Sequence, residues 1–191
     1  MADGSETILE VRQLTHSYGD TPALRDLSFA MSSGEIFGLL GPNGGGKTTL
    51  FRILSSLLQP DAGEALIANH SVTTDSHAVR RSIGVDFQAP SLDLQLTVRE
   101  NMRHQGRLYG ISGQSLETRI DEMLEQVNLA DREEELVRNL SGGLMRRIDL
   151  AKGLMHRPSL VLLDEPTTGL DPGARLDLWS YLERAREQDG L

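Results

Sequence analysis

The stretch "GPNGGGKTTLFRILSSLL", residues 41–58, sets four glycines and a lysine ahead of an apolar helical pattern. Glycine is a poor helix former that reaches positive φ at little cost, so its clustering at a helix start has two readings. It marks a loose turn carrying a surface lysine, or it lets an anion approach the backbone closely. Residues 41–48 fit the spacing G-x-x-x-x-G-K-[ST], and their flanks favour the second reading. Upstream, "EIFGLLG" (35–41) is a nearly continuous apolar run, the pattern of a strand buried on both faces. Downstream, Leu50, Ile53, Leu54, Leu57 and Leu58 recur at helical spacing. Between such a strand and such a helix, successive N–H groups can converge on one phosphate group, reinforced by the helix N-terminus. Lys47 would reach the β- and γ-phosphates as a point charge, and the Thr48 hydroxyl would ligate Mg²⁺.

The whole chain has 191 residues, 38% hydrophobic and 25% charged, which suits one globular domain with a sizeable core. Nineteen basic against twenty-eight acidic residues leave a formal net charge of −9, and no nucleic-acid partner is expected of so acidic a surface. There is no cysteine, which removes disulfide frameworks and thiolate zinc sites. The start, "MADGSETILEV", lacks the basic-then-apolar pattern of a secretory signal, and runs such as "LVLL" (160–163) are far too short to span a bilayer.

Residues 8–14 and 27–31 read as strands, the second with Leu27, Phe29 and Met31 on one face. Further strands are predicted over 63–67 and 83–87. From about 89 to 157 the pattern turns helical, with Leu116, Ile120, Met123, Leu124 and Val127 following a Ser115 cap, then Leu144, Ile148, Ala151 and Met155. "SLVLLDEP" (159–166) returns to a buried strand, and Asp171-Pro172 caps and opens a last helix through Arg184. Asp164 therefore stands at the C-terminal end of a core strand, where open α/β sheets bind ligands. It can hold Mg²⁺ through the water shell, and Glu165 can polarise an attacking water. Taken alone, Asp-Glu after a strand is as readily a solvated turn.

"NLSGGLMRRIDLAKGL" begins at Asn139, ahead of "LLDEPTTGLD". With the glycine loop, this ordered set resembles the signature of the ATP-binding-cassette (ABC) ATPases over nearly the whole chain, most closely the ABC-2-type multidrug and polysaccharide exporter branch. The resemblance implies an α/β fold: a P-loop NTPase core of mostly parallel sheet with flanking helices, an antiparallel β N-terminal part and an inserted α-helical subdomain. Residues 1–191 then form a single nucleotide-binding domain, with 1–88 and 158–191 as core and 89–157 as the helical signature subdomain. Gly41, Pro42, Asn43, Gly44, Gly45, Gly46, Lys47, Thr48 and Thr49 would line the phosphates of ATP, with Tyr18 stacked on adenine. Thr48, Gln88 and Asp164 would serve Mg²⁺, and Glu165, Gln88 and Lys47 the chemistry. Ser141, Gly142 and Gly143 would complete the site of a second subunit in a head-to-tail dimer, a homodimer by expectation, with Asp171 at the interface. Transmembrane permease subunits, docked near residues 88–97, would hold the protein on the inner face of the cell membrane.

Three positions depart from the family pattern. Leu144 stands where glutamine is usual, and Gly45 replaces the commoner alanine. The chain also stops at Leu191, before the position of the family's switch histidine, and none of His16, His70, His77, His104 or His156 takes its place. A truncated chain that binds Mg-ATP and hydrolyses it weakly is the expectation. A soluble non-transport ABC ATPase, or a fragment that binds without hydrolysing, are the alternatives. Elsewhere, "DREEEL" (131–136) reads as a solvated helix face, and Arg146 and Arg147 as plain helix surface, with pairing to phosphate or nearby acids as the alternative.

Overall fold

A computed structural model of the chain describes residues 6–87 and 91–189. The N-terminal part is an antiparallel sheet of β1 (Thr7–Tyr18), β2 (Thr21–Ser32), β3 (Ala62–Ile67) and β4 (His70–Ser71), ordered β2-β1-β3-β4. Between its strands comes α1 (Lys47–Leu54). There follow α2 (Ser76–Ser82), β5 (Ile83–Asp86), α3 (Val98–Leu108), α4 (Gly113–Gln126), α5 (Gly142–Leu154), β6 (Leu160–Leu163) and α6 (Pro172–Asp189). β5 and β6 pair in parallel, with Ile83 opposite Leu160 and Asp86 opposite Leu163.

The first two strands run longer than the hydrophobic alternation alone predicts, because β1 changes phase. Leu9 and Val11 point inward, then Leu14 and His16. The switch occurs at Gln13, whose φ of 48° and shifted register mark a bulge. Leu27, Phe29 and Met31 pack against the resulting core, as their alternation predicts.

Two hydrophobic clusters form, and β6 is the wall between them. Leu160 and Leu162 belong with β1, β3 and α1, whereas Val161 and Leu163 pack on the helices. The uninterrupted "LVLL" is thus a strand with apolar neighbours on both faces. The helical cluster gathers α3, α4, α5 and the Leu178, Tyr181, Leu182 and Ala185 side of α6. Helix α3 starts at a capping box, in which the Glu100 N–H donates to Thr97 Oγ1 (3.2 Å) and the Thr97 N–H donates to Glu100 (2.8 Å).

Several expectations require correction. Residues 35–41 form no strand; Ile36, Phe37, Leu39 and Leu40 are exposed, the last by 95%. A central strand needs a ladder on each edge to satisfy its amides, and among the described residues no strand pairs with this segment. It instead forms one side of an apolar cleft of about 450 Å³, with β6 and Trp179 opposite. Helix α4 begins after Ser112, not Ser115; Ser115 lies in its first turn and its hydroxyl donates to the Ser112 carbonyl (2.7 Å). Residues 131–136 are a 3₁₀ turn and a bridge, with Leu136 opposite Thr97, rather than a helix face. There Glu133 accepts a hydrogen bond from Arg99 Nε (3.0 Å), tying this turn to α3.

His156 closes the joint between the clusters. Its ring stacks on Tyr109 at 3.6 Å, and Nε2 lies 2.9 Å from the Ile83 carbonyl, which fixes an Nε2–H tautomer there. Burial lowers its pKa, the Ile83 contact works the other way, and Arg119 adds to the lowering. Because the folded state then binds fewer protons than the unfolded chain, this group's contribution is complete above the unfolded value of about 6.5 and is lost as pH falls toward the folded value. The urea midpoint is therefore expected to drop between about pH 7 and about pH 5, with a shallower drop in His156→Gln; equal slopes would refute the assignment.

Candidate functional site

The glycine loop meets α1 at Gly46, which has φ 83° and precedes the first helical residue, Lys47. A Cβ at Gly46 would lie 2.3 Å from the Ala23 carbonyl oxygen and 2.8 Å from the Leu24 side chain, so β2 seats the helix start directly. No residue with a side chain fits that conformation and that contact together. The Gly45 N–H donates to the Pro42 carbonyl (3.0 Å), closing the turn. At Gly45 a Cβ would come within 3.0 Å of that same oxygen, so glycine relieves a tight contact that alanine would make.

Lys47 folds back over the loop, donating to the Gly41 carbonyl (2.7 Å) and the Pro42 carbonyl (2.8 Å). An ammonium has three N–H groups, so one remains for an anion in front of the loop. Thr48 is exposed at the first turn, whereas Thr49 is buried beneath it. The same cleft carries Lys47, Asp164 and Glu165 among its lining residues. Asp164 follows β6 and is anchored by its N–H to the Asp86 carbonyl (3.0 Å). Glu165 is exposed in a left-handed conformation (φ 49°), and its Oε2 accepts from the Thr168 hydroxyl (3.1 Å). The structure thus brings the lysine and both acids, distant in sequence, to one opening.

Asp86, buried at the end of β5, is tied to Asp164 through its carbonyl. Burial pushes its carboxyl up to about 7, Arg146 pulls the other way, and Asp149 and Asp164 add to the rise. Arg146 Nη2 sits 2.7 Å from Asp86 Oδ2, an ion-pair contact without the alignment of a hydrogen bond. Arg146 is only 7% exposed, which overturns its reading as plain helix surface. In sequence it is one of two adjacent arginines in the second turn after the Ser141 cap, and nothing local shows that the side chain turns inward. Arg147 is ion-paired with Asp177 on α6.

Ser141 caps α5, accepting from the Leu144 N–H (3.4 Å). Ser141 and Gly142 are exposed and none of Ser141, Gly142 and Gly143 lines the Lys47 cleft. Gly143 faces the start of α6, where a Cβ would be 3.7 Å from Ala174 Cβ. Asp171 opens that helix by accepting from the Ala174 N–H (3.0 Å), which holds its carboxyl below the usual range. Leu144 packs against the helical cluster, giving the departure from glutamine an apolar role. Tyr18 is half exposed at the end of the β1–β2 hairpin, paired with Thr21 and edge-on to His16 at 5.0 Å. Because Ala23 and Leu24 of this hairpin contact Gly46, the tyrosine and the loop share one end of the molecule. Gln88 lies outside the described residues.

Comparison with known proteins gives a consistent answer. A family profile described as ABC transporter matches residues 24–168. A daunorubicin resistance ATP-binding protein from Streptomyces coeruleorubidus is 44% identical over 175 residues, covering 92% of this chain and 55% of that protein. A doxorubicin resistance ATP-binding protein from Mycobacterium tuberculosis is 47% identical over 168 residues, covering 88% and 51%. The Nod factor export ATP-binding protein I of Rhizobium meliloti is 43% identical over 174 residues, covering 91% and 52%. The chain spans about half the length of the curated relatives it matches. Among solved structures, the protein cbiO1 from Clostridium perfringens, described as part of the ABC transporter complex cbiONQ, superposes with TM-score 0.88 at 29% identity, over 97% of this chain and 76% of that one. An ATP-binding cassette solved as a dimer bound to ADP and Pi superposes with TM-score 0.82 at 28% identity, over 96% and 84%. Spacing, fold and relatives agree, and the chain belongs to the ABC transporter family of ATP-binding domains.

Proposed function

We propose that this chain is the ATP-binding and ATP-hydrolysing part of an ABC exporter, in which ATP draws two such subunits together and its cleavage releases them. The observation that carries the reading is the shared opening of Lys47, Asp164 and Glu165, with Ser141–Gly142 exposed elsewhere on the capped helix. The exporter assignment leans on relatives whose names refer to drug resistance and Nod factor export.

In this reading the loop N–H groups and the remaining Lys47 proton bind the phosphate tail, while Tyr18 offers its exposed ring to the base. Glu165 polarises the attacking water, with Thr168 orienting its carboxylate. Gln88 is assigned beside the water and the cation from its motif alone. Among the described residues no group of three acidic or histidine side chains could hold a metal by itself. One hydroxyl, Thr48, and one carboxylate, Asp164, suit Mg²⁺, which keeps much of its water and arrives with phosphate oxygens. Bound there, it would neutralise phosphate charge.

The nearness of Gly143 to Ala174, three residues past Asp171, supports a single dimer face built from both segments. A second copy placed head-to-tail would present Ser141, Gly142 and Gly143 to the γ-phosphate in the first copy's opening. Among the described residues no helix is long and apolar enough to cross a membrane. Attachment to the inner face through permease subunits is the accompanying proposal.

In the full-length protein, Lys47→Ala is expected to weaken Mg-ATP binding by at least about tenfold in calorimetry, the loss of a charge-assisted hydrogen bond. Unchanged affinity would end this reading. Glu165→Gln should keep binding and slow turnover by about 100-fold or more. Sedimentation of that variant should show dimers with Mg-ATP and monomers with ADP; a tight dimer without nucleotide argues against the adhesive role of ATP.

A further inference from the structure

Three charged residues on one side of α5, Arg146, Asp149 and Lys152, are all buried. Their i, i+3, i+6 spacing aligns them along the helix, on a side that is largely shielded from solvent. None faces the phosphate opening, and their partners are all main-chain or short side-chain groups from two catalytic-side segments. Arg146 Nη1 donates to the Phe87 carbonyl (2.9 Å) and Nε to the Pro166 carbonyl (3.3 Å), while Nη2 meets Asp86. Asp149 accepts from the Ser91 N–H (3.1 Å) and the Ser91 hydroxyl (2.6 Å). Lys152 Nζ donates to the Ser91 carbonyl (2.5 Å) and its hydroxyl (3.3 Å).

Every polar group of Ser91 is therefore taken by α5, and Phe87, at the end of β5, is held by the same helix. Pro166 follows Glu165 directly. Burying three charges is costly unless each is paired and bonded, and here the return is geometric: one rigid helix grips two separate segments. Arg146 lies five residues from the Ser141 cap, about 7.5 Å along the axis.

We propose that Arg146, with Asp149 and Lys152, is a clasp of positioning residues that makes α5 and the catalytic-side segments at Phe87, Ser91 and Pro166 move as one body. When a second subunit engages the exposed Ser141 end, displacement of α5 is carried to the turn holding Glu165. None of the three touches substrate. This inference rests on the ATPase reading given above. A guanidinium is suited to the task because its planar fork serves several acceptors at once, whereas lysine offers a single point charge.

The test uses the full-length protein, with folding checked by circular dichroism and thermal melts. Arg146→Gln alone would strand Asp86, so it is paired with Asp86→Asn; Asp149→Asn is made separately, and all three changes are combined. Lowered kcat, by about tenfold or more, with KM for ATP within about threefold, is the expected result for the first two variants. The combined variant should lose little more than the worse of the two, because a clasp acts as a unit. A purely stabilising role would lower the melting temperature and leave kcat of folded protein within about twofold, which would overturn the proposal. Losses that multiply in the combined variant would overturn it too. If Lys47→Ala leaves ATP affinity intact, the ATPase reading fails instead, whatever the clasp variants do.

Discussion

The site depends on one steric constraint, the absence of room for a Cβ where Gly46 meets the Ala23 carbonyl. That contact presses the start of α1 against the β1–β2 hairpin and sets the left-handed turn from which the helix departs. The position of the Lys47 backbone follows from it, and with it the hold of the ammonium on the Gly41 and Pro42 carbonyls. The Gly45 N–H donates to the Pro42 carbonyl in closing the turn, and the glycines put no side chain in front of the rest of the loop. The two acids reach the same opening by a separate route, at the end of a strand aligned by its ladder with β5.

Features governed by local backbone needs were legible in the residues themselves. The glycine spacing, the Ser141 cap, the Asp171 cap and the "LVLL" strand each answer a requirement that lies within a few positions of the chain. Features set by distant neighbours were not. Arg146 reads as plain helix surface, and nothing local marks Asp149 or Lys152, because their partners, Phe87, Ser91 and Pro166, lie far along the chain. The 35–41 segment reads as a buried strand because apolar content shows what a segment prefers, while a ladder depends on what lies beside it. The bulge at Gln13 was hidden for a related reason: a change of phase looks like the end of a strand.

Burial also reorders the charges around the site. Burial pushes the Asp86 carboxyl up to about 7, against the pull of Arg146, whereas Asp164 and Glu165 line the cleft. The Arg146 guanidinium, shared between that carboxyl and two carbonyls, balances what remains. The fold separates two tasks in this way, with ionised groups facing outward to the ligand and compensated ones inward to hold the loops.

The apolar border formed by Ile36, Phe37, Leu39 and Leu40 has a cost of its own. The exposed part of each such side chain forgoes a share of the about 1.5–3 kcal/mol that full burial would return, and among the described residues β6 pairs only with β5. Contiguous greasy surface beside an unpaired edge is the combination that draws strands from other molecules. This margin is the place where self-association is expected to begin, against the repulsion of a surface with formal net charge −9.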